Sequence, residues 1–346
     1  MNPLNIFYEE PDPDRWFIGD RYPRRIIRRI VRGKPRQGGQ TRVFLNLCAG
    51  LKKLGVPHRI NDYSYIQKHP DEIACIIGKP HVLDKRRWQN PILFGASVFS
   101  HPIDDALLFD RLPVQKVLVP GEWMRKMWES NYGDRVLVWP VGIDTEIWLP
   151  TPPERKNIDI LLYDKVRWEY GRYDRELLTP IRSQLALRNL TVTEIRYGFY
   201  REEEFHKLLQ HSKAMIFLCE HETQGIAYQQ ALSCGVPILA WERGGFWQDP
   251  SYFPHKVKFA PVSSVPYWDD TCGLKFKDIQ EFSTQLDNFL YQLKHQQFTP
   301  RNYILENLTL ENCADRYIKI LEKVESEQTS LQSREVPKNM NVLDYP

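Results

Sequence analysis

Short apolar runs rich in β-branched residues alternate with helix-like patterns along most of the 346-residue chain. In the helix-like stretch 201–211, for example, Phe205, Leu208 and Leu209 fall on one face. Strands that alternate with helices predict parallel sheets covered on both faces, and therefore an α/β fold. Nine runs have the length and composition of strands, and they cover residues 72–77, 91–99, 116–119, 135–141, 158–163, 191–197, 214–219, 236–241 and 257–262.

The best domain boundary lies at residues 149–156, where prolines and charges interrupt the pattern. We predict an N-terminal Rossmann-like domain over residues 1–150. A C-terminal Rossmann-like domain would cover residues 151–328, followed by a polar tail, 329–346. A last periodic helix, about 310–324, follows the second domain and could return to the first. Two such domains facing across a cleft bind ligands at the carboxyl ends of their strands, although many chemistries use this architecture.

Composition narrows the class of protein. Hydrophobic residues make up 42% and charged residues 26% of the chain, which is typical of a folded globular protein. A net charge of +3 gives no sign of a nucleic-acid partner. The six cysteines show neither C-x-x-C nor metal-like spacing, and they indicate reduced thiols. Without an apolar run of 18 residues or a signal-like N-terminus, a cytoplasmic location is expected.

Charge is nonetheless concentrated in one segment, from Arg24 to Arg32, with the sequence RRIIRRIVR. Its apolar residues recur at helical spacing between five arginines. The pattern fits a helix on an anionic membrane surface, which would make the protein peripheral at the inner face, or a helix that binds an acidic acceptor. It fits equally a helix that packs its isoleucines on the first domain and leaves its charges in water.

The most informative segment is residues 220–240, EHETQGIAYQQALSCGVPILA. A strand ends at Glu220, a polar loop holds Glu222 and Gly225, and a helix follows. Gly225 lies near the helix start, where free N–H groups and the positive end of the dipole can hold a phosphate. Glu222 and Gln230 would lie about 12 Å apart along a helix axis. That separation can bracket a sugar diphosphate, with the sugar at one end and the ribose at the other.

This segment resembles the retaining GT-B glycosyltransferases of the large group 1 family. Their hallmark is E-x7-E followed by A-x-x-C-G-x-P-[VI]-[IL]-A. The tail matches from Ala231 to Ala240, and the first glutamate falls on Glu222, but Gln230 replaces the second. The resemblance implies that Glu222 contacts hydroxyls of the donor sugar, that the amides of Gly225 and Ile226 face the sugar and phosphates, and that residue 230 holds the ribose.

Glutamine at position 230 can still hydrogen-bond a ribose, although it loses the charge assistance that strengthens carboxylate bonds. We interpret the replacement as a tuned donor site, and an inactive site is the alternative. Further segments agree with the same family in order. Residues 136–150 resemble its P-x-G-[VI]-D linker, residues 241–249 its GG-x-x-E loop and residues 272–274 its N-G-x-L element. Residues 36–55 resemble its glycine-rich loop and first helix, which implies donor contact at Gly38 and Gly39.

The leaving nucleoside diphosphate needs cations or helix N-termini near its phosphates. In the family an arginine and a lysine follow the first strand of the second domain. Lys165 is nearest to that arginine, no lysine falls at the expected distance beyond it, and Arg167 or Arg172 would take the second role. His101 follows a strand where the family often carries a histidine beside the donor sugar. The alternative for His101 is a capping or surface histidine.

Paired acids at Asp12 and Asp14 and at Asp269 and Asp270 do not follow clear strands, so we predict neither a metal requirement nor a cofactor beyond the nucleotide sugar. The resemblance implies a hexosyltransferase of polysaccharide or glycolipid biosynthesis. It implies that the domain over residues 1–150 lies on the acceptor side and that the domain over 151–328 binds the nucleotide sugar. The enzyme would move a sugar from a UDP- or GDP-sugar to a saccharide or lipid-linked acceptor, retaining configuration by front-face attack. One alternative is a noncatalytic sugar- or nucleotide-binding relative. Another is a nucleotide-sugar epimerase, but those enzymes lack the Glu-loop-helix pattern.

Overall fold

The structure is a computed structural model that describes residues 2–10, 39–84, 86–96 and 99–335. The basic segment Arg24–Arg32, Gly38 and the acids Asp12 and Asp14 lie outside the described residues. The expectations placed on them stay predictions.

The first sheet has six parallel strands in the order β2-β1-β3-β4-β5-β6. Helices pack on both of its faces. The strands are β1 Leu4–Phe7, β2 His58–Ile60, β3 Ala74–Ile76, β4 Ile92–Gly95, β5 Val114–Val119 and β6 Val136–Val138. The helices are α1 Gly39–Lys53, α2 Tyr63–Lys68, α3 His81–Asp84, α4 Leu108–Arg111 and α5 Glu122–Tyr132.

The second sheet has five parallel strands in the order β11-β10-β9-β7-β8. Its strands are β7 Ile158–Lys165, β8 Val192–Arg196, β9 Ser212–Cys219, β10 Ile238–Trp241 and β11 Gly273–Phe276. Its helices begin with α6 Tyr170–Tyr173 and α7 Thr179–Leu187, which a π-helical turn over Asp174–Leu178 joins. They continue with α8 Glu202–His211, α9 Ile226–Ser233, α10 Ile279–Lys294, α11 Pro300–Asn307 and α12 Leu310–Glu335.

The predicted fold class is confirmed: the protein is α/β, with two Rossmann-like parallel sheets. Eight of the nine predicted strands overlap observed ones. The ninth, 257–262, is wrong. Pro261 lacks an N–H, and the segment instead exchanges hydrogen bonds with the loop at Gly245 and Trp247. The periodicity missed β1, β2 and β11, which are only three or four residues long.

The last helix, α12, crosses back from the second domain onto the first. Its buried residues Tyr317, Leu321 and Val324 share a core with β1, β3 and α1. The helix also runs to Glu335, well past the predicted end at residue 324. Residues 325–335 contain neither glycine nor proline, and nothing in them stops a helix before Pro337. Among the helices of the described ranges, none is both long and apolar enough to cross a bilayer.

The long connection between β10 and β11, residues 242–272, also reaches the first domain, and we call it the bridging segment. Trp247, Val257 and Val262 of this segment join the core formed by β3, β4, β5 and α5. Tyr252 donates a hydrogen bond to the carboxylate of Asp104 at 2.7 Å. The first domain therefore completes part of its apolar core with residues of the second half of the chain.

Gly50 on α1 marks the closest approach of α1 to α12. A Cβ added there would lie 2.3 Å from the carbonyl oxygen of Leu310 and 2.8 Å from Cβ of Ala314. We expect Gly50→Ala to lower the free energy of unfolding by about 1–3 kcal/mol, because the helix backbone must shift. Denaturant unfolding measures this. Gly171→Ala is the matched control, since no atom of the described ranges lies within 4 Å of its added Cβ. Equal stability of the two variants would contradict the packing described.

Candidate functional site

The order of strands in the second sheet creates a crevice between β7 and β9. The chain runs from β7 outward to β8 and then returns to the other side of β7 to form β9. At such a point the connections leave the carboxyl ends in opposite directions, and ligands of open α/β sheets bind there. Strand β7 ends at Lys165 and β9 ends at Cys219, so the loop that carries Glu222 lies beside Lys165.

Lys165 and Glu222 form a buried ion pair in this crevice, between Nζ and Oε1. Their side chains are 11% and 9% exposed. The ring of Tyr197 covers the ammonium, with its centroid 4.2 Å from Nζ. Burial by itself lowers the pKa of Lys165, but the negative charge of Glu222 and further neighbours raise it to about 12. A cation and a carboxylate therefore stand together where the sequence predicts contacts with a phosphate and a sugar hydroxyl.

The structure separates the two candidates for a second cation. Arg167 faces the loop after β9, and its Nη2 donates to the carbonyl oxygen of His221 at 3.1 Å. Arg172 instead pairs with Glu169, which precedes α6, and with Glu176 in the π-helical turn, and its side chain is 52% exposed. Arg167 therefore joins Lys165 in the crevice, and Arg172 does not contact this loop.

Glu220 fixes the conformation of the β7 end. Its Oε1 accepts hydrogen bonds from the backbone N–H groups of Arg167 at 2.8 Å and Trp168 at 2.9 Å. Glu220 is fully buried and its Oε2 finds no hydrogen-bond partner among the described residues. A buried carboxylate costs free energy unless it is hydrogen-bonded or paired, so this arrangement ties the ends of β7 and β9 together.

His221, between the two glutamates, is held in its neutral form. Its ring stacks on Trp168 at 5.0 Å and meets Trp123 edge-on at 5.5 Å. Burial, followed by the positive charges of Arg167 and Arg243, lowers its pKa well below the ordinary value of 6.5. Its Nδ1 is buried without a hydrogen-bond partner in the described part of the chain. Two carboxylates lie near the same ring, since Glu222 pairs with Lys165 and Glu220 Oε2 lies 3.8 Å from Arg167 Nε.

Gly225 allows the turn from this loop into α9. Its φ of 82° lies in the left-handed region, and an added Cβ would lie 1.9 Å from the ring of Tyr228. Helix α9 begins at the next residue, Ile226, so its first N–H groups point toward the loop. Gln230 lies one turn further along α9 and is buried. One loop and the helix that follows it therefore carry the four residues that the resemblance predicts at the donor, which are Glu222, Gly225, Ile226 and Gln230.

The neighbouring glutamines have a structural role that the sequence did not reveal. Gln224 Oε1 accepts from the N–H of Val141 at 3.0 Å, and its Nε2 donates to the carbonyl of Val141 at 3.2 Å. Gln229 donates to the carbonyl of Gln224 at 2.8 Å. The loop is therefore tied to the connection between the two domains.

His101 has the geometry of a helix cap. Its Nδ1 accepts a hydrogen bond from the N–H of Ile103 at 3.1 Å. The rings of Trp247 and Tyr252 of the bridging segment lie 6.0 and 6.2 Å from it. Burial lowers its pKa, against a smaller opposite effect of Asp104. The capping alternative describes these contacts, and a contact of His101 with the donor sugar stays a prediction.

Gly39 begins α1, and a Cβ added there would meet no atom of the described residues within 4 Å. One turn later, Arg42 forms an ion pair with Glu202 at the start of α8, which links the two domains at this edge. Asp269 stabilises a turn, since its Oδ1 accepts from the N–H of Thr271 at 2.9 Å. Within the described ranges, no three His, Cys, Asp or Glu side chains come together as a metal site.

The first domain lies directly on the loop that carries Glu222. Trp123 Nε1 donates to the carbonyl oxygen of Glu222 at 2.8 Å. A Cβ added at Gly121 would lie 2.8 Å from the carbonyl oxygen of Thr223. The cleft is therefore closed at this contact, and a ligand of the Lys165–Glu222 pair must enter from another side or separate Trp123 from the loop.

Solved structures share this arrangement of domains. An Anabaena protein, Alr3699/HepE, solved in complex with UDP and glucose, aligns with a TM-score of 0.52 at 11% identity, over 92% of this chain and 99% of that one. Sucrose-phosphate synthase from Thermosynechococcus elongatus aligns with a TM-score of 0.50 at 11% identity, over 94% and 99% of the two chains. The chain has the GT-B fold.

TarM, a more distant structural neighbour, aligns with a TM-score of 0.47 at 12% identity over 75% of this chain. This chain spans 57% of TarM's length. No protein-family model and no curated protein sequence matches the chain. At these identities the structural neighbours establish the fold alone.

The neutral state of His221 predicts a loss of stability in acid. Below pH 6.5 the unfolded chain protonates this histidine and the folded chain does not, so the free energy of unfolding falls as the pH falls. The slope approaches about 1.4 kcal/mol per pH unit for each such group. The variant His221→Phe keeps the ring stack. Between pH 7 and pH 5 its free energy of unfolding should decline less steeply, and the decline that remains should include the contribution of His101. Urea unfolding at several pH values measures the decline.

Replacement of the exposed His211 by glutamine is the control, and it should leave the slope of the native protein unchanged. A decline in His221→Phe as steep as in the native protein would contradict the neutral state of His221.

Proposed function

We propose that this protein is a glycosyltransferase that moves a sugar from a nucleoside-diphosphate donor to a saccharide or lipid-linked acceptor. The observation that carries the proposal is the Lys165–Glu222 pair at the β7–β9 crevice, beside the start of α9. A cation, a carboxylate and the first N–H groups of a helix can together bind a sugar diphosphate. The GT-B fold and the motif at residues 220–240 support the same assignment.

In the proposed complex, Lys165 and Glu222 give up their contact with each other and each contacts the donor instead. The ammonium of Lys165 turns from Glu222 to the diphosphate, together with the guanidinium of Arg167. The freed carboxylate of Glu222 accepts hydrogen bonds from hydroxyls of the donor sugar, and Gln230 accepts or donates one at the ribose. The first N–H groups of α9, at Gly225 and Ile226, add the positive end of the helix dipole. The protein thereby stabilises the negative charge that develops on the leaving diphosphate.

Transfer is proposed to retain configuration by front-face attack. The bond from the anomeric carbon to the diphosphate oxygen breaks, and the acceptor hydroxyl oxygen forms its bond on the same face. The acceptor proton passes to the leaving phosphate oxygen, so no protein base is required. Lys165, Arg167 and the helix N–H groups supply the charge stabilisation, which makes the proposed reaction independent of a metal.

The donor class is proposed as a UDP- or GDP-sugar. The fold shared with the Anabaena protein solved with UDP and glucose supports UDP as the first nucleotide to test. Peripheral contact with a membrane through Arg24–Arg32, at the cytoplasmic face, belongs to the same proposal and suits a lipid-linked acceptor.

A noncatalytic binding protein of the same fold is the second candidate. Two observations favour it: Gln230 stands in place of a glutamate, and Trp123 closes the cleft over Glu222. Donor turnover separates the two candidates. Release of nucleotide from UDP-glucose or GDP-mannose by the intact chain supports an enzyme, and tight nucleotide binding without release supports a binding protein.

Glu222→Gln should reduce release of UDP or GDP from the sugar nucleotide by about 100-fold or more, because a neutral amide accepts weaker hydrogen bonds from the sugar as charge develops. Removal of one charge also leaves Lys165 buried and unpaired, which lowers stability. The double variant Lys165→Gln/Glu222→Gln restores charge balance. It should melt closer to the native protein and remain inactive.

Glu194→Gln is the matched control, since it removes an ion pair with Arg182 elsewhere on the same domain. It should keep native turnover. If Glu222→Gln turns over donor at more than half the native rate, Glu222 is not the residue that holds the sugar.

Gln230→Glu should preserve or tighten the binding of UDP or GDP, because a carboxylate hydrogen-bonds a ribose diol about twice as strongly as an amide. Calorimetric titration with each nucleotide measures the effect, and a thermal melt checks the buried charge. A weaker affinity in a variant that melts like the native protein would place residue 230 outside the ribose site.

A further inference from the structure

A cavity of about 270 Å³ opens between the start of α5 and the end of the bridging segment. One wall belongs to the first domain and the other to the second, so the cavity is part of the cleft between them. It is lined by Glu122, Trp123, Ser263, Val265, Pro266, Trp268 and Lys275.

The walls of this cavity are fixed by hydrogen bonds that do not involve a ligand. Ser264 binds the carboxylate of Glu242 through its N–H at 2.7 Å and its hydroxyl at 2.6 Å. Tyr267 donates through its hydroxyl to the carbonyl of Pro120, directly before α5, and its N–H donates to Tyr228 Oη at 3.0 Å. A site whose walls are already ordered loses less entropy when it binds a ligand.

The lining combines apolar ring faces with hydrogen-bonding groups. Trp123 and Trp268 supply indoles, and Lys275 Nζ lies 5.5 Å from the ring centroid of Trp268. Glu122 supplies a carboxylate that Arg125 already orients, with the Glu122 side chain 57% exposed. A purely apolar ligand would exclude water from these charged groups without hydrogen-bonding to them. A pyranose fits both parts, because its C–H face packs on an indole and its hydroxyls bind carboxylate and ammonium groups.

A nucleoside diphosphate fits this cavity poorly. Among the described residues that line it, Lys275 is the one cation, and the carboxylate of Glu122 would repel the phosphates. Its volume also lies just below the range of about 300–1,000 Å³ that larger ligands occupy. One or two sugar rings match the size and the charge better than a nucleotide does.

The cavity shares its walls with the loop that carries Glu222. The carbonyl oxygen of Ser263 accepts the N–H of Glu222 at 2.9 Å, and Trp123 donates to the carbonyl of the same residue. Both wall residues therefore bond directly to the backbone of the residue proposed to hold the donor sugar. We propose that this cavity binds a pyranose unit of the acceptor. The binding of a sugar is argued from the lining of the cavity, and the role of that sugar as acceptor rests on the proposed glycosyltransferase function.

The test is calorimetric titration of the full chain with maltose, cellobiose and glucuronic acid, in the absence and presence of UDP. We expect at least one saccharide to bind, and Trp268→Ala and Lys275→Ala each to weaken that binding five-fold or more. UDP should bind both variants as it binds the native chain, because neither residue belongs to the Lys165–Glu222 crevice. Tyr291→Ala is the control, an aromatic residue 61% exposed on α10, and should bind as the native chain does.

Lys275 is exposed, so its variant remains informative if Trp268→Ala fails to fold. No binding of any of the three saccharides, or unchanged binding by Lys275→Ala, overturns the proposal. Failure of the donor assignment gives a different result: saccharide binding persists and depends on Trp268, while the native chain neither binds UDP nor releases it from UDP-glucose.

Discussion

The buried pair of Lys165 and Glu222 joins the ends of two neighbouring strands, and the rest of the site is arranged around it. Each charge would be costly in this crevice without the other, so the loop after β9 is held against the end of β7. Glu220 strengthens the same connection by accepting two backbone N–H groups from residues 167 and 168. The position of the first residues of α9 follows from these contacts, since Gly225 comes only three residues after Glu222.

The sequence was sufficient to predict the α/β class, two parallel sheets and eight of the eleven strands. Long apolar runs such as β7 and β9 are buried on both faces, and that burial leaves a clear pattern. The strands it missed are short, and β2 and β11 carry charged residues. The false strand at 257–262 has apolar alternation for another reason: its side chains pack on the core of the first domain.

For the site, the sequence indicated Glu222 and Lys165 separately, and the order of strands brings them into contact. The local sequence does not show whether Arg167 or Arg172 reaches the crevice, because the fold decides which groups each arginine contacts. Glu220, His221 and Trp123 carry no motif, and only the three-dimensional contacts reveal them. One signal was available: three polar residues directly after the buried strand β9 indicate groups gathered at a sheet edge.

The bridging segment has a consequence for how the molecule folds. Trp247, Val257 and Val262 fill the interior of a domain whose strands end more than a hundred residues earlier in the chain. The helix α12 does the same on the other face. The N-terminal half, cut after residue 150, would therefore expose unfilled apolar surface. The boundary seen along the sequence separates two sheets but not two independent folding units, and heat should unfold both halves in a single cooperative transition.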